Sequence, residues 1–180
     1  MKVIGLAGPI GCGKTTVANY IQEQYGYKPV AFAAPLKAAV AAIFGCSVEE
    51  LDNQEFKASQ LPGDLGKTYR HALQTLGTEW GRNCIHPDIW LKLLEQNVLN
   101  SSQPVVITDV RFPNEAELVR KLGTLIHIES PVTRDLSHAS EVPIPKSDGD
   151  VTLINNHEGL VELYNSIELC GYKKLFKEDT

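Results

Sequence analysis

The stretch "GLAGPIGCGKTTVANYI", Gly5 to Ile21, places three glycines around a lysine and two threonines before a helical pattern begins. "KVIGLAG" before it is a short apolar run suited to a buried parallel strand. "GPIGCGKT" fits GxxxxGK[ST], with Gly8, Gly13, Lys14 and Thr15 in the defining places. In "TTVANYIQEQYG", Val17, Ala18, Ile21 and Tyr25 recur near helical spacing, and Gly26 is a stop signal. Strand, glycine loop and helix follow in the order a phosphate-binding loop needs. Glycines let the backbone close around phosphate oxygens, while amide N–H groups and the positive end of the helix dipole attract anions. Lys14 adds a mobile positive charge, and Thr15 a hydroxyl for Mg²⁺. Gly11, Cys12 and Thr16 complete the expected nucleotide-triphosphate contacts.

The remaining chain alternates strand and helix patterns. Strands are predicted near Val30–Phe32, at Val105–Thr108 ending on Asp109, at Leu125–Ile128 and at Val151–Ile154. With the first strand these make a five-stranded parallel sheet covered by helices on both faces, an α/β fold of the P-loop NTPase type. "NEAELVRKLG" predicts a helix stopped by Gly123, and "EGLVELYNSIELC" a closing helix. Ligands in such folds sit at the carboxyl ends of the strands. Two segments stand outside the pattern. Residues 34–100 read as a mostly helical insertion, with "PLKAAVAAIFG", "SVEELDNQEFKA", "TYRHALQTLGTEWGR" and "DIWLKLLEQNVL". Residues 131–150, rich in Ser, Asp, Pro and Gly, read as a lid loop. The expected organisation is one kinase domain: a core of 1–33, 101–130 and 151–180, an acceptor-binding insertion of 34–100 and a lid of 131–150.

Composition narrows the function classes. The chain has 180 residues, 43% of them hydrophobic and 22% charged, which is enough for one domain with a sizeable core. A net charge of −5 argues against a broad nucleic-acid surface. The apolar N-terminal stretch has neither the length of a membrane span nor the layout of a signal peptide. Cys12, Cys46, Cys84 and Cys170 are scattered, with no CxxC pair, as expected for reduced thiols in the cytoplasm. No membrane or nucleic-acid partner is expected, and a homodimer stays open.

"RHALQTLGTEWGR", "HPDIWL" and "VVITDVRFPNEAELVRKLG" together resemble the deoxynucleoside monophosphate kinases of bacteriophages and their relatives, within the P-loop nucleoside monophosphate kinase group. The similarity runs from the phosphate loop through "INNHEGLVELY", and "LQTLGTEWGR" with "TDVRFPNE" is its distinctive part. It implies phosphoryl transfer from ATP to a deoxynucleoside monophosphate, with Mg²⁺, in the host cytoplasm if the chain is phage-encoded. Relatives often read DPLK where this chain has "APLK", Ala34 to Lys37, which removes one carboxylate.

Candidate residues follow. Arg70 and Arg82 flank "LQTLGTEWG" and could clamp the acceptor phosphate, a role the resemblance implies. Glu79 and Trp80 could form the base pocket, though Trp80 could equally be a core aromatic. Gln74 could read a base edge, and Lys37 could reach a phosphate. Asp109, ending a strand beside the phosphate loop, is expected to orient Mg²⁺ or its waters, with helix capping as the rival role. Arg111 and the lid's Arg134 are expected to neutralise phosphate charge, Arg111 alternatively pairing with Asp109. His138 and Glu141 would organise the lid, and Asn155 and Asn156 would touch adenine or shape a turn. No histidine–carboxylate base stands out, and none is needed: a monophosphate, with a second pKa of about 6, is already a nucleophile at neutral pH. Kinases of a small alcohol or another phosphorylated metabolite are alternatives. A non-catalytic nucleotide switch is weakened by the absence of NKxD and DxxG motifs.

Overall fold

A computed structural model describes residues 3–131 and 142–168. Packing divides the chain into two compact units, one of residues 1–31 and 94–180, the other of residues 32–93.

The first unit is built on a five-stranded sheet in the order β2-β3-β1-β4-β5, with every pairing parallel. Its strands are β1 (Val3–Ala7), β2 (Lys28–Val30), β3 (Val105–Val110), β4 (Thr124–Glu129) and β5 (Val151–Ile154). All of β1 is buried, as its unbroken apolar run requires of a central strand covered on both faces. On one face lie α1 (Lys14–Tyr25) and α7 (Leu160–Ile167). Their Val17, Ala18, Ile21, Leu163 and Ile167 close over Ile4, Leu6, Val106, Ile126, Ile128 and Leu153. Fully burying one such side chain is worth about 1.5–3 kcal/mol, so this layer contributes heavily to the stability of the sheet. Helix α6 (Pro113–Leu122) packs on β1 and β4 and buries Ala116, Leu118 and Val119.

β2 lies two residues earlier than the apolar stretch Val30–Phe32 suggests. Register explains this: Lys28, Pro29 and Val30 pair with Val105, Val106 and Ile107, while Phe32 and Ala33 already turn into the next helix. Gly26 ends α1 in the left-handed conformation, its N–H returning to the Gln22 carbonyl.

The second unit holds α2 (Ala34–Phe44), a short 3₁₀ turn (Glu50–Asp52), α3 (Gln54–Ala58), α4 (Tyr69–Thr75) and a π-helix (Leu76–Ile85). Helix α5 (Ile89–Leu99) begins in it. Its core is separate: Val40, Ala41, Leu51, Leu61 and Tyr69, with Phe44, Phe56 and Leu73 packed around them. Tyr69 lies 4.6 Å from the Phe56 ring and meets Phe44 edge-on at 5.9 Å. Among the described residues no helix is long and apolar enough to cross a membrane.

Candidate active site

The loop after β1 turns on glycines that nothing else replaces. Gly8 has φ 151° and Gly13 φ 99°, a region that side chains rarely adopt. A Cβ on Gly8 would stand 2.6 Å from the Ile128 carbonyl oxygen, and one on Gly13 2.7 Å from Asn155 Nδ2. Lys14 Nζ donates to the carbonyls of Gly8 (2.7 Å) and Pro9 (2.8 Å), so its ammonium curls over the loop. No side chain caps the start of α1, and its first turn carries no acid. The positive end of the α1 dipole thus faces the loop with no acidic side chain beside it, which favours an anion there. Thr15 is exposed there, and Thr16 is half-buried. Cys12 is fully buried under the loop, and burial pushes its thiol pKa up, against the pull of Lys14.

Asn155, just past β5, holds this loop from below. Its Nδ2 donates to the Cys12 carbonyl at 2.9 Å, and its Oδ1 accepts from the His157 N–H at 3.0 Å. Both ends of the carboxamide are thus engaged by the chain itself. Asn156 is exposed.

β3 supplies a feature that its sequence does not announce. Gly5 of β1 pairs with Ile107, but Ala7 pairs with Val110. Three steps on β3 match two on β1, so an extra residue is accommodated at Thr108–Asp109. Such bulges re-aim side chains and cluster beside active sites. Here the bulge sets Val110 beside Ala7, the last residue before the phosphate loop, with half-buried Asp109 one residue before it. Arg111 follows, and lines a cavity of about 160 Å³ with Ala7, Gly8, Pro9 and His127. The turn that sets Arg111 is fixed by Glu115, 2% exposed, whose Oε2 accepts from the N–H groups of Arg111 (2.8 Å) and Phe112 (3.1 Å). The local signal for this was legible: a glutamate at the third position of a helix that opens on Pro113 reaches back to its entry amides.

A second set of residues that the sequence reading missed joins α6, β4 and the entry to β5. Asp150 Oδ1 accepts from Arg120 Nε at 3.0 Å. Its Oδ2 accepts from Arg120 Nη2 (2.7 Å), His127 Nε2 (2.9 Å) and the Ser147 N–H (2.9 Å). The Arg120 hydrogen bonds hold the Asp150 carboxyl well below the usual carboxylate range, although burial opposes them.

In the helical unit the family-like stretch "LGTEWGRNC" takes π-helical winding, a form found mostly at functional sites. Gly77 and Gly81 are buried on its inner side. Gly77 packs against Leu36, and a Cβ on Gly81 would stand 2.4 Å from the Trp90 ring. Trp90, 5% exposed, donates from its indole N–H to the Gly77 carbonyl at 2.9 Å. This winding leaves Thr78, Glu79 and Trp80 outward; Trp80 is 48% exposed and not the core aromatic that its size allowed. Arg82 is half-buried and Gln74 exposed. Arg70 donates to Gln54 Oε1 at 3.0 Å, and Lys37 is paired with Asp52. Ala34 is exposed at the first position of α2. Arg134, His138 and Glu141 lie outside the described residues. Among the described residues no three His, Cys, Asp or Glu side chains gather as a metal cluster. Any divalent ion would therefore depend on phosphate oxygens and water for most of its ligands.

A phosphate loop at the end of a central parallel strand, with a bulged neighbour that carries Asp109 and places Arg111 on the cavity beside the loop, is the arrangement of a P-loop kinase. A solved structure from Thermus thermophilus shares the fold, with a TM-score of 0.56 at 19% identity over 98% of both chains. The family model described as deoxynucleotide monophosphate kinase matches residues 67–167, more than half of the chain, and the chain belongs to that family. A protein of Acanthamoeba polyphaga mimivirus, described provisionally as a deoxynucleotide monophosphate kinase, is 35% identical over 94% of this chain and 96% of its own length. The deoxynucleoside-5'-monophosphate kinase of Escherichia phage T5 is 39% identical over 56% of this chain and 46% of its own.

Proposed function

We propose that the chain transfers the γ-phosphoryl group of ATP to a deoxynucleoside monophosphate, giving the diphosphate and ADP, with Mg²⁺. The observation that carries this is the phosphate loop sharing a cavity with Arg111, on the strand whose bulge holds Asp109. Family membership supplies the acceptor class. The loop amides and Lys14 take the β- and γ-phosphates, Lys14 leaving the Gly8 and Pro9 carbonyls to do so. Bound Mg²⁺ would neutralise phosphate charge; Thr15, exposed at the start of α1, and Asp109 are its candidate holders, one hydroxyl and one carboxylate being a donor set this ion accepts. Arg111 steadies negative charge in transfer, and Arg134 is proposed to assist it. Lys37, Arg70, Gln74, Glu79, Trp80 and Arg82 are assigned to the acceptor nucleotide. The monophosphate attacks as a dianion, so positioning and charge neutralisation suffice.

Residues 1–33, 101–130 and 151–180 serve as the core, residues 34–100 as the acceptor-binding insertion and residues 131–150 as a lid. The cytoplasm is the proposed compartment. The test is a screen of all nucleoside and deoxynucleoside monophosphates with ATP and Mg²⁺, read by product analysis. Deoxynucleoside diphosphates are expected; turnover of a small alcohol with no monophosphate accepted would overturn the proposal.

A further inference from the structure

Residues 142–150 lead into β5, and contacts with Arg120 and His127 fix their course. Arg120 of α6 grips the Asp150 carboxylate through Nε and Nη2, and the same Nη2 donates to the Pro145 carbonyl at 2.8 Å. His127 Nε2 of β4 reaches Asp150 Oδ2, the oxygen that Arg120 Nη2 also reaches. Asp150 in turn accepts from the Ser147 amide and donates its own N–H to the Ser147 carbonyl at 3.1 Å. The Asp150 side chain is 3% exposed and that of His127 9%. An exposed Lys146–Glu129 pair at 2.6 Å adds a weaker pin.

What this clamp holds is a wall. Val142, Pro143 and Ile144, all apolar, line the same cavity as Gly8, Pro9 and Arg111. Phosphoryl transfer from a nucleotide has one chemical competitor, water. If water attacks the γ-phosphorus in place of the acceptor, the bond to the ADP oxygen breaks and ADP and inorganic phosphate are released.

We infer that Arg120, His127 and Asp150 are positioning residues that pin the Val142–Ile144 wall beside the phosphate loop and so keep water from the transferring phosphoryl group. The inference rests on the reading that ATP phosphates occupy that loop. Arg120 and Asp150 do not line the cavity and act through the wall; His127 lines it as well as holding Asp150. Their loss therefore shifts the partition between transfer and hydrolysis, rather than only the amount of folded enzyme.

The experiment measures inorganic phosphate released per deoxynucleoside diphosphate formed, at saturating ATP and acceptor, in Asp150→Asn, Arg120→Lys, His127→Gln and Leu163→Ala. Leu163, buried in the α1–α7 layer and not among the residues that line the cavity, serves as a destabilised control. The ratio should rise about fivefold or more in the clamp variants and stay at the wild-type value in Leu163→Ala. A ratio within about twofold of wild type in every folded clamp variant overturns the inference, as does an equal rise in the control. If Asp150→Asn does not fold, Arg120→Lys and His127→Gln, assayed below their melting temperatures, decide. If the wild type transfers no phosphate from ATP, the functional reading has failed instead. Hydrogen exchange then tests the clamp alone, with 142–150 expected to exchange faster in Arg120→Lys than in wild type; equal exchange overturns it.

Discussion

The phosphate loop and the π-helix solve opposite problems. The loop presents backbone: amides at the start of α1, shaped by Gly8 and Gly13, locked below by Asn155, with one charged side chain, Lys14. The π-helix presents side chains: Glu79 and Trp80 stand outward because Gly77 and Gly81 let the inner side settle on Leu36 and Trp90. Backbone recognition suits phosphate, which every nucleotide carries. Side-chain recognition suits a base, which differs from one nucleotide to the next. Changes in the first region should therefore cost rate for every acceptor, and changes in the second should cost some acceptors more than others.

The largest effect belongs to Lys14. Lys14→Met removes the one mobile charge of the loop, and losing such a preorganised contact costs on the order of 3 kcal/mol, a hundredfold or more in kcat. The drop should be uniform across acceptors, with an unchanged melting temperature. Near-normal turnover in the folded variant would reject the role. Next is Asp109→Asn, which keeps the shape and removes the charge. The Mg²⁺ concentration for half-maximal activity should rise about 10- to 100-fold, the usual cost of losing a group that orients a metal's ligands. An unchanged Mg²⁺ titration would detach Asp109 from the metal.

Gly81→Ala probes the other region. The added methyl meets the Trp90 ring, and overpacking of this kind costs about 1–3 kcal/mol. Melting should fall accordingly. The KM for deoxynucleotide acceptors should rise unequally from base to base while the KM for ATP holds. An equal rise for every acceptor would show that the π-helix shapes a common feature and not the base.

The two regions were unequally legible in the sequence. Gly8, Gly13, Lys14 and Thr15 could be read because a phosphate loop is local: every residue that shapes it lies within one short stretch, between a strand and a helix. The helix stops at Gly26 and Gly123 were readable for the same reason. The bulge at Thr108–Asp109 was not, because it exists only in the register of β3 against β1, a pairing about a hundred positions apart in the chain. π-Helical winding was hidden likewise, since the Gly77 carbonyl is held by the indole of Trp90, thirteen residues on. The Arg120–His127–Asp150 clamp draws on three elements, and no spacing rule links them.

A smaller effect concerns acid. The folded state holds Asp150 below its ordinary pKa, so the unfolded chain binds the proton more readily. The stability it contributes is fully present above the unfolded value of about 3.9 and is lost as pH falls below that toward the folded value, with a slope of at most about 1.4 kcal/mol per pH unit. Asp150→Asn, though less stable at neutral pH, should show a shallower loss of stability below about pH 4 in urea titrations. An identical slope in both proteins would mean that Asp150 is not held ionised by Arg120 and His127.

The smallest effect separates two roles for Asn155. As a support for the loop it acts on phosphate, which ATP and GTP share. As a reader of adenine it would favour ATP alone. Its Nδ2 is taken by the Cys12 carbonyl and its Oδ1 by the His157 amide, which favours the support role. Asn155→Ala leaves the buried Cys12 carbonyl without that donor, at a cost of about 1 kcal/mol or somewhat more. If the loop pays this as slack, KM for the phosphate donor should rise up to about tenfold, by the same factor for ATP and for GTP. Steady-state kinetics with both donors in wild type and variant decide the matter. A rise confined to ATP would put adenine, not the phosphate loop, at the end of the Asn155 side chain, and would move base recognition into the region proposed to bind phosphate.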